Sequence, residues 1–157
     1  MSFSLILKRI WCRLTGYDVF ISYAQRDGLN YAKGLQRQLE SGKRKLLVFR
    51  DETGLEGSGE LRPELLREVR RCRVLAVVVS PGACESKWVA DEVAVRIDNG
   101  RRKRFGLFQR PAAVVPLLLP PVNTKALPEP LGVLSGYLWA EETPQALATG
   151  QVSTRTL

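Results

Sequence analysis

Short apolar runs alternate with amphipathic stretches along most of the chain, and this alternation predicts strands that alternate with helices. The third apolar run, V-L-A-V-V-V-S, is typical of an interior strand of a parallel sheet, which is covered on both faces. Pro116 in the fourth run predicts a bulge or an early end of that strand, because proline cannot donate to the ladder. The five predicted strands are Y-D-V-F-I-S-Y (17–23), L-L-V-F (46–49), V-L-A-V-V-V-S (74–80), A-A-V-V-P-L-L-L (112–119) and G-Y-L-W (136–139).

Helical spacing of apolar residues predicts helices in three of the intervals between these strands. One runs from Leu29 to Leu39 and closes at Gly42, and one runs from Pro63 to Arg71. A third begins after Ser86, a plausible N-cap, and ends in the basic stretch N-G-R-R-K-R. Strands and helices in this order predict an α/β fold with a parallel sheet between two helical layers, wound like flavodoxin or a Rossmann fold. The first strand is followed by no G-x-G-x-x-G and the chain has no phosphate-loop lysine motif, so neither usual nucleotide-binding loop is predicted.

The two ends of the chain differ from its centre, which divides it into segments 1–16, 17–140 and 141–157. Segment 1–16 has apolar residues at helical spacing with basic residues between them, which predicts a short amphipathic helix that ends at Gly16. Packing on its own domain, self-association and contact with a membrane surface all remain open for this helix. Segment 141–157 is polar and weakly patterned, as in a linker or a frayed end.

Composition narrows the possible chemistry. The chain has 157 residues, 45% of them hydrophobic, which suits one globular domain, and it contains neither a transmembrane run nor a recognisable secretory signal. Three cysteines without paired-motif spacing indicate reduced thiols in a cytoplasmic protein and give no metal signature. Histidine is absent, which excludes Ser-His-Asp and Cys-His catalysis and His-ligated zinc. Catalysis would therefore use carboxylates, Lys, Arg, Tyr, Ser or Cys.

The formal net charge is +8, from 24 basic and 16 acidic residues. A surplus of this size raises the question of a polyanionic partner. The basic clusters at 43–45, 67–73 and 101–104 have no aromatic residues interleaved for base stacking. The pattern favours a solvated basic surface that also attracts anionic ligands, and it disfavours nucleic acid.

Three segments are expected to converge at one edge of the sheet. In a flavodoxin-like order 2-1-3-4-5, ligands bind where the strand order reverses, at the carboxyl ends of the first and third strands. Ser22, Tyr23 and Ala24 end the first strand, Ser80 ends the third, and the acidic glycine-rich loop over 50–60 flanks them. Trp88 and Glu92 lie on one face of the helix that borders this crevice. Spacing alone leaves Glu92 open as a salt-bridge partner or as a catalytic carboxylate.

Four stretches, in this order and spacing, resemble a Toll/interleukin receptor (TIR) domain of the bacterial, enzymatic kind. They are Y-D-V-F-I-S-Y at 17–23, V-F-R-D-E-T-G-L at 48–55, L-A-V-V-V-S-P at 75–81 and W-V-A-D-E at 88–92, and the resemblance covers roughly residues 17–140. It implies a flavodoxin-like fold with five parallel strands.

The resemblance also implies roles for residues of the crevice. Glu92 would cleave NAD+ at the nicotinamide–ribose bond, with Trp88 as pocket wall, and NAD+ would be the substrate, with no further cofactor. Arg50, next to Asp51, or another basic residue would meet the pyrophosphate. Many relatives carry a basic residue where this chain has Ala24, which leaves the phosphate-binding residue open. The loop after the second strand would gate the site and mediate assembly, and its candidate residues are Glu52, Gly54, Leu55, Gly57 and Gly59.

Two functions follow from the resemblance. The first is an NAD+ glycohydrolase of bacterial antiphage defence that is activated by self-association. A sensor domain, either fused to it or on a separate chain, would be its partner. The second is a non-enzymatic module that pairs with other TIR domains. The presence of Trp88 and Glu92 favours the enzyme, since a pure interaction module does not need that pair.

Overall fold

The computed structural model of the chain describes residues 16–51, 63–103, 113–123, 125 and 127–145. Most of the predicted N-terminal helix, the gating-loop residues Glu52, Gly54, Leu55, Gly57 and Gly59, and the tail beyond 145 lie outside the described residues.

Five parallel strands form one sheet in the order β2-β1-β3-β4-β5, which confirms the predicted flavodoxin-like α/β fold. Val19 of β1 aligns with Val48 of β2 on one side and with Val74 of β3 on the other. The order in which the strands are added to the sheet therefore reverses between β1 and β3. The strands are β1 (Val19–Ser22), β2 (Val48–Arg50), β3 (Val74–Val79), β4 (Ala113–Leu118) and β5 (Ala140–Glu141).

The helices cover both faces of this sheet. They are α1 (Gln25–Ser41), α2 (Pro63–Arg71), α3 (Pro81–Glu85) and α4 (Lys87–Lys103). Gly42 closes α1 as predicted, with its backbone N–H 2.9 Å from the Gln38 carbonyl. Ser86 caps α4 as predicted, because its hydroxyl accepts a hydrogen bond from Val89 N at 3.4 Å. The five-residue helix α3 was not predicted, since its proline and glycine weaken the helical signal.

The fifth strand lies later in the chain than predicted. The structure has a 3₁₀ helix over Leu131–Gly136, which Tyr137 closes by donating its N–H to the Leu134 carbonyl. Residues 137–139 belong to no strand, and Leu138 is 93% exposed, so the apolar run at 136–139 is not a sheet strand. Ala140 instead pairs with Leu117. The strand prediction at 136–139 was wrong because an apolar run predicts burial, whereas pairing depends on which residues reach the edge of β4.

Pro116 does not end β4, and the strand continues in register past it. Pro116 aligns with Val77 of β3, while β5 pairs with β4 only at Leu117 and Leu118 among the described residues. A proline that faces the side without a strand partner removes no ladder hydrogen bond. The predicted bulge or early end is therefore wrong.

The core has two layers, one on each face of the sheet. Phe20, Leu75 and Val77 pack under α2 and α4, whereas Ile21 and Val78 pack under α1. Burial of each such side chain contributes about 1.5–3 kcal/mol. β3 is buried on both faces, as its continuous apolar run predicted. Within the described residues, no helix is long and apolar enough to cross a membrane.

Candidate functional site

Glu92 lies on α4 beside the carboxyl end of β1. It is 6% exposed and follows Trp88 by one helical turn, which puts both on the same face of α4. Ser22, the last residue of β1, is 1% exposed and its hydroxyl is close enough to Glu92 to lower the carboxyl pKa. Asp51, which follows β2, also acts on that pKa. The structure thus brings together Ser22, Asp51 and Glu92 at the reversal of strand order, as the sequence predicted.

The environment of Glu92 disfavours its ionised form. Burial is the main cause and raises the pKa of Glu92 to about 8, against the opposing effect of the Ser22 hydroxyl. The negative charges of Asp51 and Asp91 raise it further. None of the ion pairs among the described residues includes Glu92. A positively charged ligand next to this carboxyl would lower its pKa and favour the carboxylate.

The Ser22 hydroxyl is a buried polar group without a well-formed hydrogen bond. Within the described part of the chain, Ser22 Oγ has no partner that meets hydrogen-bond geometry. Most buried polar groups are hydrogen-bonded, because an unsatisfied one loses its hydration without compensation. A ligand hydroxyl at this position would supply the missing partner.

Trp88 is partly buried and packs against the core layer that contains Val89 and Val93. One side of the indole is therefore fixed by the core. A fixed aromatic ring one turn before Glu92 is suited to wall a pocket and to keep water out.

Tyr23 and Arg50 form a hydrogen-bond network on the α1 side of the sheet, opposite Ser22 and Glu92. The Tyr23 hydroxyl donates to the backbone carbonyl of Asp51 at 2.6 Å and accepts from Arg50 Nη1 at 3.1 Å and from Gln25 Nε2 at 3.0 Å. Arg50 Nε donates to Gln36 Oε1 at 2.9 Å. Burial, partly offset by Arg50, raises the pKa of Tyr23. The network fixes the start of the segment that follows β2, and Arg50 as a pyrophosphate ligand stays a prediction.

Ser80 is fully buried, and its hydroxyl serves the local structure. It donates to Asp27 Oδ1 at 2.6 Å and accepts from Ala83 N at 3.1 Å, which caps α3. Asp27 Oδ2 accepts from Gly82 N at 2.7 Å, so a single carboxylate ties α1 to the first turn of α3. Ala24 is also buried and is the N-cap residue of α1. Asp27 was not predicted, and the available signal was an acidic residue in the first turn of a helix that follows a strand.

A second polar feature lies at the carboxyl ends of β4 and β5, away from the predicted crevice. Glu142 is 6% exposed, and its Oε1 accepts a hydrogen bond from the Tyr31 hydroxyl at 2.8 Å. It borders an open cavity of about 350 Å³, whose lining residues are Leu118, Pro120, Pro121, Val122, Asn123, Glu141 and Glu142. The described residues contain no group of three or more Cys, Asp and Glu that could hold a metal ion.

Comparison with known families gives one match over most of the chain. The family described as "TIR domain" matches residues 19–148. No curated protein matches the chain.

Solved structures with the same fold come from several kinds of protein. The TIR domain of the Toll-related receptor TRR-2 from Hydra magnipapillata is 16% identical with a TM-score of 0.56, over 84% of this chain and 89% of that one. The TIR domains of the activated Roq1 resistosome, which directly recognises the pathogen effector XopQ, are 21% identical with a TM-score of 0.55, over 70% of this chain. A TIR-STING receptor from C. gigas in complex with 2',3'-cGAMP is 22% identical with a TM-score of 0.58, over 85% of this chain.

The lengths of these proteins differ from that of the present chain. It spans 61% of the Roq1 chain and 38% of the TIR-STING receptor. At these identities the likeness shows a shared fold.

Proposed function

The chain belongs to the TIR-domain family, and on this premise we propose that it is an NAD+ glycohydrolase that cleaves the nicotinamide–ribose bond. The observation that carries the proposal is the environment of Glu92. This carboxyl is buried at the reversal of strand order, next to a Ser22 hydroxyl that lacks a well-formed hydrogen bond. Buried carboxyls with a perturbed pKa in a crevice are typical of functional sites.

The proposed reaction needs one carboxylate. When the C1'–N1 bond of NAD+ breaks, its electron pair moves to the pyridinium nitrogen and nicotinamide leaves as a neutral molecule, so no general acid is required. The ribose becomes an oxocarbenium ion, which a nearby carboxylate stabilises electrostatically. Water then adds to C1' and releases a proton, which gives ADP-ribose. The absence of histidine is compatible with this chemistry.

The substrate itself would ionise Glu92. In the free protein, burial raises the pKa of Glu92 to about 8, so the carboxyl is mostly protonated at neutral pH. The positive charge of the nicotinamide ring favours the ionised form as the ring enters the site. The carboxylate would therefore form where the cationic substrate is bound. Ser22 would donate to a ribose or carboxylate oxygen, and Trp88 would exclude water from the ring.

The phosphates of NAD+ require a basic partner, for which Arg50 is the candidate. Its guanidinium donates to the Tyr23 hydroxyl and to Gln36 Oε1. Arg50 directly precedes the proposed gating loop. A planar guanidinium with five donors can keep such contacts and still bind a phosphate oxygen. We therefore assign Arg50 as the residue that binds the pyrophosphate and Tyr23 as the residue that orients the Arg50 guanidinium.

Self-association and a bacterial defence role complete the proposal. A TIR domain in the resistosome structure belongs to a protein that recognises a pathogen effector, and another belongs to a receptor bound to a cyclic dinucleotide. By analogy, a fused or separate sensor domain would cluster this TIR domain in the cytoplasm and so activate it. The proposed trigger is infection of a bacterial cell by phage.

The direct test measures nicotinamide release from NAD+ by concentrated or artificially clustered protein. Glu92→Gln keeps the size of the side chain and removes its charge, while Glu85→Gln makes the same change on a side chain that is 70% exposed. We expect release by the wild type and by Glu85→Gln, with release by Glu92→Gln lower by about 10²–10³-fold. Release that survives Glu92→Gln contradicts the assignment of the carboxylate. A clustered wild type that releases no nicotinamide supports a non-enzymatic TIR–TIR interaction module instead.

A further inference from the structure

Arg96 is a buried arginine one helical turn after Glu92 on α4. It is 3% exposed, and it lies on the same face of the helix as Glu92 because the two are four residues apart. Its Nη2 donates to the carbonyl of Arg73 at 2.7 Å, and its Nη1 donates to the carbonyls of Val69 at 3.2 Å and Arg70 at 3.4 Å. The buried guanidinium thus binds three backbone carbonyls, two in the last turn of α2 and one in the segment that leads into β3.

These contacts constrain the position of α4 relative to α2. The last carbonyls of a helix have no intrahelical donor, and a cation at this end also complements the helix dipole. The guanidinium is planar and rigid, and it donates to carbonyls before and after Cys72. These contacts fix the position of α4 along its axis and its rotation relative to α2. Arg96 and Glu92 belong to the same helix, so the position at which Arg96 is held determines where Glu92 lies beside β1.

We propose that Arg96 is a positioning residue for the reaction at Glu92, because it holds α4 on α2 at the height where the Glu92 carboxyl meets the Ser22 hydroxyl. The kinetic part of this inference rests on the proposed glycohydrolase activity. The placement of Glu92 by Arg96 does not, and it can be measured without substrate. Arg96 touches no reacting atom, so its effect is transmitted by the helix.

The kinetic test compares Arg96→Met with Arg96→Lys. Methionine keeps the length of the side chain and removes every donor, whereas lysine keeps the charge and can donate to some of the same carbonyls. We expect Arg96→Met to lower kcat per folded molecule by about 10–100-fold, as a displacement of about 1 Å does in enzymes. KM should change by less than about threefold, and Arg96→Lys should restore part of kcat.

A matched control separates positioning from loss of stability. Leu35→Ala opens a cavity in the α1 layer, on the opposite face of the sheet, and lowers the Tm without a contact to α4. Both variants are assayed well below their Tm, with the folded fraction measured by circular dichroism. Leu35→Ala should keep the wild-type kcat per folded molecule. If Arg96→Met keeps it as well, Arg96 is purely structural and the proposal is overturned.

The substrate-free test follows the carboxyl of Glu92 by carbon-13 NMR during a pH titration. The charged groups that act on this carboxyl are Asp51 and Asp91, and burial is the main cause of its raised pKa. Removal of the Arg96 cation alone can only raise the pKa of Glu92. Displacement of α4 exposes the carboxyl to water and lowers it toward the ordinary value.

The direction of the pKa change therefore decides the inference. We expect Arg96→Met to lower the pKa of Glu92 by at least about one unit, with no change in Leu35→Ala. An unchanged or higher pKa in Arg96→Met overturns the proposal. A lower pKa together with a wild type that cleaves no NAD+ supports the placement of Glu92 and refutes the glycohydrolase, so the two failures are distinguishable.

Discussion

Glu92 and Glu142 lie near the same end of the sheet, and each is 6% exposed. They differ in what surrounds the carboxyl. Glu142 accepts a hydrogen bond at 2.8 Å from the hydroxyl of Tyr31, a residue of α1 that is itself fully buried. Glu92, on the opposite face, meets a Ser22 hydroxyl that reaches no described residue in good hydrogen-bond geometry, and the negative charge of Asp51 acts on it.

The difference separates a structural carboxyl from a functional one. The fold supplies Glu142 with its own donor, and burial and the hydrogen bond from Tyr31 to Glu142 raise the pKa of Tyr31. Glu92 is buried among groups that disfavour its charge, and the Ser22 hydroxyl opposes their effect only in part. Burial alone would have ranked the two glutamates equally, and the partners of each carboxyl distinguish them.

The largest expected effect is on the pH dependence of stability. Because the pKa of Glu92 is raised to about 8 in the folded protein, the unfolded chain loses this proton at a lower pH and the free energy of unfolding falls as pH rises. Over three to four pH units, at about 1.4 kcal/mol per unit, wild type loses about 5 kcal/mol that Glu92→Gln does not lose. Urea unfolding at pH 5, 7 and 9 should show this difference growing with pH and levelling above pH 8. A constant difference between the two proteins would mean that Glu92 is solvated.

The next effect is on activity and contrasts the two glutamates directly. Glu92→Gln should lower kcat for nicotinamide release by about 10²–10³-fold, because it removes the charge opposite the oxocarbenium ion. Glu142→Gln should leave kcat per folded molecule within about twofold, because Glu142 lies at the ends of β4 and β5, where its carboxyl binds Tyr31. Equal losses in the two variants would remove the functional distinction between them.

A smaller effect is expected when the hydroxyl partner of each glutamate is removed. Tyr31→Phe removes the hydrogen bond from Tyr31 to the buried Glu142 carboxyl and should lower the free energy of unfolding by about 1–3 kcal/mol. Ser22→Ala removes a hydroxyl that lacks a well-formed hydrogen bond, so it should change that free energy by less than about 1 kcal/mol while it weakens NAD+ turnover. Chemical denaturation of both variants is the measurement. A stability loss in Ser22→Ala as large as in Tyr31→Phe would show that Ser22 is structural.

The smallest effect concerns an acidic residue outside both sites. Glu85 accepts a hydrogen bond from Arg26 at 2.6 Å, but the two side chains are 70% and 61% exposed. A double-mutant cycle with Glu85→Gln and Arg26→Met should give a coupling free energy below about 1 kcal/mol, as for other solvated pairs. High salt should reduce it further.

The order of the sheet and the helices that cover it followed from the sequence because alternation of apolar and amphipathic segments leaves few ways to bury both faces. Ser22, Asp51 and Glu92 lie close together in the structure, as expected for parallel strands that end at one edge, and their role as a substrate site stays a prediction. The fifth strand was misplaced because Leu138 and its neighbours are apolar without being buried in the sheet. Pairing with Leu117 and Leu118 is a long-range property that local pattern does not carry.

Side-chain partners were the least predictable part of the site. Nothing in the local spacing indicates that Asp27 binds Ser80 and Gly82, or that Arg96 reaches the carbonyls after α2. These contacts join segments that are 23 to 55 residues apart in the chain. Ser80 was predicted as a pocket residue from its place at a strand end, and its hydroxyl proves to cap α3.

The contact between Asp27 and Gly82 has a consequence for how this sequence can vary. A Cβ added at position 82 would lie 2.5 Å from Asp27 Oδ1, so no residue with a side chain fits there while the carboxylate stays in place. A shorter residue at position 27 would make room but would leave Ser80 and the Gly82 N–H without their acceptor. A substitution at position 82 is therefore expected to cost less free energy of unfolding once Asp27 has been replaced by a shorter residue. In evolutionary terms, the contact makes substitutions at positions 27 and 82 epistatic, because the effect of each on stability depends on the residue at the other.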